Sequence, residues 1–406
     1  MDHGTIIPHL FRTEYRKIVS VLCRHFGFRE MEVAEDIASE TFQVAMQAWG
    51  IEGLPPNPVG WLYNTAKNKA KNHLHRDAIF REKVMPALEE NPFSLNDEID
   101  LSPQNINDSQ LQMMFAVCHP AISRESQIGL ALRILCGFGI DEIATAFVSN
   151  KVTINKRLFR AKEKLRDENI RIELPAPLEI DQRLDQVLMT IYLLFNEGYY
   201  SVSQNKTLRK DLCLEAMRLC SMLIENEATN KPRVNALLAL MCFHASRFDA
   251  RISSSGAVVL YEEQDANLWN LDLISKGGYF LKMAAQGETL SKYHLEAGIA
   301  AWHTQHPDSI EKWSQILALY DQLLEIEFSP IAALNRTYAL AKTKGEHIAI
   351  AEAEKLDLHD NHFFHGLLGE LYEHIDKAKS VQHFLNALDL AKTKADKQAI
   401  RKRMAR

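Results

Sequence analysis

The sequence predicts an all-α protein of several domains. Apolar residues recur at three and four along nearly the whole chain, and almost no stretch alternates with period two. The breaks fall at proline- and glycine-rich segments, chiefly 50–58 and 173–180. With 406 residues, 46% hydrophobic and 25% charged, the chain is long enough for two or three globular domains and too apolar to be disordered.

The six cysteines show no C-x-x-C spacing, which fits a reduced compartment rather than a disulfide framework. No basic-then-apolar leader and no bilayer-length apolar run is present, so a cytoplasmic location and no membrane association are expected.

Taken in order, residues 8–49 should give two or three helices, ending in "EVAEDIASETFQVAMQAW". There Ala34, Ile37, Thr41, Ala45 and Ala48 form an inward stripe and leave Glu35, Asp36 and Glu40 outside. "GIEGLPPNP" breaks the chain, and a new helix is expected from Val59 to about Lys83. On it Asn64, Asn68, Lys71, Asn72 and His75 share one face. Each asparagine costs about 0.5 kcal/mol of helix propensity relative to alanine. Such a face either is simply solvated or lines a groove for nucleic acid, where amides and ammonium groups meet base edges and phosphates. Trp61 suits a stacking platform or a core position.

The net charge of -6 conceals an uneven distribution. Residues 60–83 carry six Lys or Arg, and residues 151–171 carry eight. Between them, residues 84–110 carry none and hold Glu89, Glu90, Asp97, Glu98, Asp100 and Asp108. A phosphate backbone is drawn to such islands and repelled by the bridge.

The second island has a definite layout. In "GFGIDEIATAFVSNKVTINKRLFRAKEKLRD" a short helix with Ile143, Ala144 and Phe147 inward meets a tight turn, and Asn150 caps the next helix. Ile154, Leu158, Ala161 and Leu165 form its buried stripe; Thr153, Asn155, Lys156, Arg157 and Arg160 lie on the outer face. This is a helix-turn-helix pattern, in which the second helix enters a major groove.

Three segments in this order, "AEDIASETF", "NPVGWLYNTAKNKAKNHLHRD" and "DEIATAFVSNKVTINKRLFRAKEKLR", make residues 8 to about 170 resemble the extracytoplasmic-function group of bacterial RNA polymerase sigma factors. The resemblance implies a region 2 bundle over 1–83, an acidic linker over 84–108 and a region 4 helix-turn-helix domain over 109–172. It further implies that Asn57, Trp61, Asn64, Asn68, Lys71, Asn72 and Arg76 engage the minus-10 strand with an extruded base. Thr153, Asn155, Lys156, Arg157 and Arg160 would read the minus-35 duplex. Glu35, Asp36 and Glu40 would dock on the clamp helices of core RNA polymerase, whose flap would meet region 4. Promoter DNA and core RNA polymerase are thus the implied partners. Val148 stands where many relatives have glycine, and "NHLHRD" where an arginine run is common.

Beyond the expected linker "ELPAPLEI" the chain is helical again, over 178–406. In "LLGELYEHIDKAKSVQHFLNALDLA", Leu368, Gly369, Tyr372, Ser380, Phe384 and Ala387 fit the small and large positions of a tetratricopeptide repeat, with a turn one residue short. Residues 318–356 look like a degenerate preceding copy. With "IYLLFNEGYY" and "YEEQDANLWNLDLI", nearly the whole chain resembles the sigma-factor subgroup that carries a long tetratricopeptide-like C-terminal extension. That resemblance implies regulation through the extension, with a regulatory protein as its partner.

His359, His362 and His365, and likewise His303 and His306, follow at steps of three, a spacing that zinc can use. No cysteine or carboxylate completes either set, so neither metal nor other cofactor is expected. In "NEGYY", Gly198 is expected to terminate a helix, and the basic tail "AIRKRMAR" suits DNA or a helix C-terminus. A stand-alone helix-turn-helix regulator is the alternative, but it needs neither of the first two segments. No nucleophile elbow, phosphate loop or His-Glu-x-x-His pattern supports an enzyme.

Overall fold

The computed structural model describes residues 3–84, 99–147, 149–199, 209–252, 259, 261–305 and 307–405. Most of the acidic linker, including Glu89, Glu90, Asp97 and Glu98, lies outside the described residues, as do Val148, Tyr200 and His306. Every regular element among the described residues is helical, so the chain is all-α. It divides into two compact units, Met1–Thr190 and Ile191–Arg406.

The first unit opens with α1 (His3–Phe26), α2 (Met31–Glu52) and α3 (Pro58–Val84), which pack on one another. The sequence dictates each face. On α2, Ala34, Ile37, Thr41 and Ala45 are buried as the periodicity requires, while Ala48 is only half-buried. On α3 the buried residues Leu62, Ala66 and Ala70 follow at steps of four, which turns the asparagines outward. The break between α2 and α3 is encoded at both ends. Gly53 adopts φ 83° after the last turn of α2, a conformation that glycine takes without a Cβ penalty. Asn57 then caps α3, its Oδ1 accepting the Gly60 N–H at 2.9 Å, and Pro58 occupies the first helical position.

The same unit continues through α4 (Pro103–Val117), α5 (Arg124–Leu130), a π-helical turn over Ala131–Leu135, α6 (Ile140–Ala146) and α7 (Lys151–Asp167). Two expected boundaries shift. The linker was expected to run to 108, but α4 starts at Pro103, because Ser102 accepts the Asn105 N–H and proline suits the first turn. The extension was expected to begin at 178, after a linker. Instead α8 (Pro177–Tyr199) starts inside the first unit, where Leu184, Val187 and Leu188 are buried. Arg183 donates to the Phe115 carbonyl at 2.9 Å and Thr190 to Gln127 Oε1 at 3.2 Å. Pro175 and Pro177 thus start a helix rather than separate two domains.

In the second unit α9 (Lys210–Glu225), α11 (Leu271–Ala284) and α12 (Lys292–Trp302) surround α10 (Pro232–Ala245), whose side chains from Val234 to Phe243 are all buried. Thereafter α13 (Ile310–Ile326), α14 (Pro330–Lys344), α15 (Glu346–Ala353), α16 (His362–Leu371), α17 (Lys377–Leu390) and α18 (Lys394–Met404) each pack on the next. Separate small apolar clusters sit along this succession, the layout of a one-dimensional helical array. The repeat-like positions are where the pattern puts them: a Cβ on Gly369 would meet the Phe384 ring at 2.9 Å, and Ser380 Oγ donates to the Gly369 carbonyl at 2.7 Å.

Gly198 does not terminate α8. It lies within the helix where a Cβ would approach Cys213 Sγ to 2.8 Å, so the residue lets α9 come close. The basic tail is committed within its own unit, through Arg403–Glu370 at 3.0 Å and Lys402–Glu263 at 2.7 Å.

Candidate nucleic-acid interface

Asn64, Asn68, Lys71, Asn72, His75 and Arg76 are all exposed on one side of α3. No ion pair among the described residues occupies Lys71 or Arg76; Arg76 Nε donates only to the Asn72 carbonyl, at 3.2 Å. Neighbouring basic groups are spent: Lys69 pairs with Glu40 at 2.8 Å, and His73 meets Glu30 at 3.3 Å. The face is therefore a row of amides with a few uncommitted cations, able both to donate and to accept hydrogen bonds. Asn57 is exposed at the head of this face but also caps the helix. Trp61 is half-buried, its ring edge-on to Trp49 at 5.4 Å and 64°. That contact fixes the indole and leaves only part of it open to a base.

Two successive helices follow at α6 and α7 as expected, although Phe147, expected inward, is only half-buried. Ile143 and Ala144 are buried, and so is the whole stripe Ile154, Leu158, Ala161 and Leu165. Asn150 caps α7, accepting the Thr153 N–H at 2.8 Å. Thr153, Asn155, Lys156 and Arg160 are exposed at the first turns of α7, and no ion pair among the described residues holds Lys156 or Arg160. Arg157 is half-buried instead, its guanidinium 5.9 Å from the centre of the Phe147 ring. Val152 and Phe159 are exposed on the same outer side, so the face is mixed rather than purely basic.

Glu35 is not where the sequence put it. Asp36 and Glu40 are exposed on α2 as expected, but Glu35 is only 13% exposed, covered by α7 and the π turn. Its Oε2 accepts from Lys162 Nζ at 2.5 Å and its Oε1 lies 3.3 Å from Arg133 Nε. Arg166 and Glu32 meet alongside at 3.5 Å. A cavity of about 290 Å³ opens here, lined by Glu32, Glu35, Arg133, Asn155, Leu158 and Lys162. The sequence carried an overlooked signal for both partners. Lys162 falls four residues after Leu158 and three before Leu165, on the buried stripe of α7. Glu35 lies on a second stripe of α2 with Met31, Ala38 and Phe42, all buried. A charge at a stripe position needs a partner across the interface.

Among the described residues no group of three or more His, Cys, Asp or Glu could hold a metal. His365 and His383 meet through their Nδ1 atoms at 3.0 Å, and His365 Nε2 faces the His359 carbonyl at 2.9 Å. His365 Nε2 therefore donates, and the pair shares a single proton between its Nδ1 atoms. Each cysteine is buried and unbridged. No helix among the described residues is long and apolar enough to cross a membrane.

An uncharacterized protein of Rhizobium meliloti (strain 1021), R00370, is 32% identical over 359 residues, covering 86% of this chain and 84% of its own length. The chain belongs to its family. Residues 183–285, from within α8 to just beyond α11, match a family of unknown function, DUF6596. No solved structure matches the chain.

Proposed function

We propose that the protein is a promoter-specificity subunit of RNA polymerase, a sigma factor of the extracytoplasmic-function type, non-enzymatic and cytoplasmic, with a regulatory helical extension. One observation carries the proposal: a single compact unit presents two separate polar helix faces, Asn64–Asn68–Asn72 with Lys71 on α3 and Thr153–Asn155–Lys156–Arg160 on α7. Neither face has its cations consumed by internal ion pairs, whereas Lys69, Lys151, Lys162, Lys164 and Arg166 of the same two basic islands are each paired internally. A row of amides on α3 suits a single strand, where base edges are open to hydrogen bonding. The capped N-terminus of α7 suits a duplex groove. Two faces for two forms of DNA fit a protein that opens a duplex at one element while holding another closed.

The exposed carboxylates Asp36 and Glu40 on α2 support docking on a basic partner surface. The second unit presents stacked helices, an architecture used for binding protein segments. Binding of labelled protein to core RNA polymerase, followed by anisotropy, should be saturable and weakened at least tenfold by the double change Asp36→Lys with Glu40→Lys. Unaltered binding would remove α2 from the polymerase interface.

A further inference from the structure

Arg247, just beyond α10 in the second unit, is a buried guanidinium without a counter-charge. It is only 7% exposed, and its Nε is buried with no hydrogen-bond partner. Other arginines share an orphaned Nε, but Arg166 meets Glu32, Arg183 donates to the Phe115 carbonyl and Arg403 meets Glu370. The Arg247 guanidinium has no ion pair or hydrogen bond among the described residues. What it has is the Tyr261 ring, whose centre lies 5.5 Å from its Cζ. Burying a cation costs free energy that stacking on one ring offsets only in part.

The surroundings leave that charge unopposed. His303, at the end of α12, meets the Tyr261 ring edge-on at 4.9 Å and 72°, and Lys312 of α13 donates to the Tyr261 hydroxyl at 2.7 Å. The hydroxyl in turn donates to the His303 carbonyl at 3.1 Å, which fixes the ring. The carboxylates here are already engaged. Asp308 accepts from Lys312 at 2.6 Å and from the Trp313 indole at 3.3 Å, while Glu262 pairs with Lys342 and Glu263 with Lys402. His303 registers the result: burial, with Arg247 and Lys312 acting in the same sense and Asp308 against them, pushes its imidazole down to about 3. The ring is therefore neutral, and its Nδ1 is buried with no hydrogen-bond partner.

We infer that Arg247 and His303 anchor a binding site for a small organic acid, whose carboxylate takes the guanidinium fork with the imidazole as a second donor, and whose flat apolar body lies against Tyr261 and Trp313. The charge decides for a carboxylate. One uncompensated cation balances one negative charge; a phosphate ester brings up to two, and Lys312, the other cation at Tyr261, has already spent its three protons. A planar fork also matches a planar carboxylate through two parallel hydrogen bonds. The walls decide for a ring. His303 packs edge-on to Trp313 at 5.6 Å and 73° as well as to Tyr261, an aromatic corner that suits another aromatic group. Tyr261 and His303 are only half-buried, so the corner reaches the surface. The whole site belongs to the second unit and holds whatever the first unit does.

Calorimetric titration of the full chain with benzoate, acetate and inorganic phosphate tests the assignment. Benzoate should bind at one site in the millimolar range, acetate several-fold more weakly for lack of the ring, and phosphate without saturation. Arg247→Met should abolish benzoate binding yet melt no lower than the unaltered chain, because it replaces an unpaired buried charge by an apolar side chain. Arg247→Lys keeps the charge, loses the fork and should weaken benzoate by about tenfold. Absence of saturable benzoate binding, or equal binding in Arg247→Met, overturns the site. A collapse of the melting temperature in Arg247→Met marks a structural guanidinium and overturns it too, and phosphate binding more tightly than benzoate rules out the carboxylate.

Discussion

Two buried charges in the second unit show how much depends on single side chains. Lys312 is only 2% exposed and spends all three of its protons, on Tyr261 Oη at 2.7 Å, the Gln305 carbonyl at 2.8 Å and Asp308 Oδ1 at 2.6 Å. Lys312→Ala strands those acceptors and should cost about 3 kcal/mol, read as a lower denaturation midpoint in urea. Glu296 behaves differently. Burial lifts its carboxyl to about 7, although the Tyr192 hydroxyl donates to it at 3.1 Å and Lys292 opposes the rise. The folded state therefore holds a proton that the unfolded chain has released above about 4.5. That stabilisation is complete below about pH 4.5 and is lost as pH rises through about 7. Hydrogen exchange in the α12 peptide, corrected for intrinsic rate, should report weaker protection at pH 8 than at pH 5.5, and Glu296→Gln should abolish most of the difference. Nothing in the sequence around Glu296 marks it, because the group that buries it is assembled from helices distant in the chain.

At the scale of elements, periodicity and capping chemistry were enough to place most of what matters. The buried stripe of α7, the cap at Asn150 and the amide row of α3 were all legible, since each depends on residues within four or five positions. What the sequence hid depends on packing between elements. Gly198 was expected to end α8 because glycine so often does; it is instead a contact point for α9, which local pattern cannot reveal. Glu35 was assigned to the outside because α2 was analysed as having a single buried stripe, whereas a second one with Met31, Ala38 and Phe42 is buried as well, in part against α1. The close approach of α16 and α17 gives a direct check: Gly369→Ala sets a methyl 2.9 Å from the Phe384 ring and should destabilise the array by about 1–3 kcal/mol, visible as a lowered melting temperature. On α7, Lys156→Ala and Arg160→Ala should each reduce the slope of log affinity for duplex DNA against log salt by about 1, because each removes one exposed cation available to a phosphate.

For the whole molecule, the division at Thr190 changes how the extension can be removed. A truncation at 176, suggested by the prolines, takes away Leu184, Val187 and Leu188 and the Arg183 bond to Phe115, all internal to the first unit. The chain 1–176 should therefore melt lower than the chain 1–199, and a regulatory effect of the extension can be judged only from the longer form.

The central claim is that the two polar faces serve one act of promoter-directed initiation. Run-off transcription with purified core RNA polymerase, the full-length protein and DNA from upstream of its own gene tests it most directly. A discrete transcript that is lost in both Asn68→Ala and Arg160→Ala, each still binding polymerase, is the result the account predicts. A transcript indifferent to both substitutions, or no association with core polymerase at all, would contradict it.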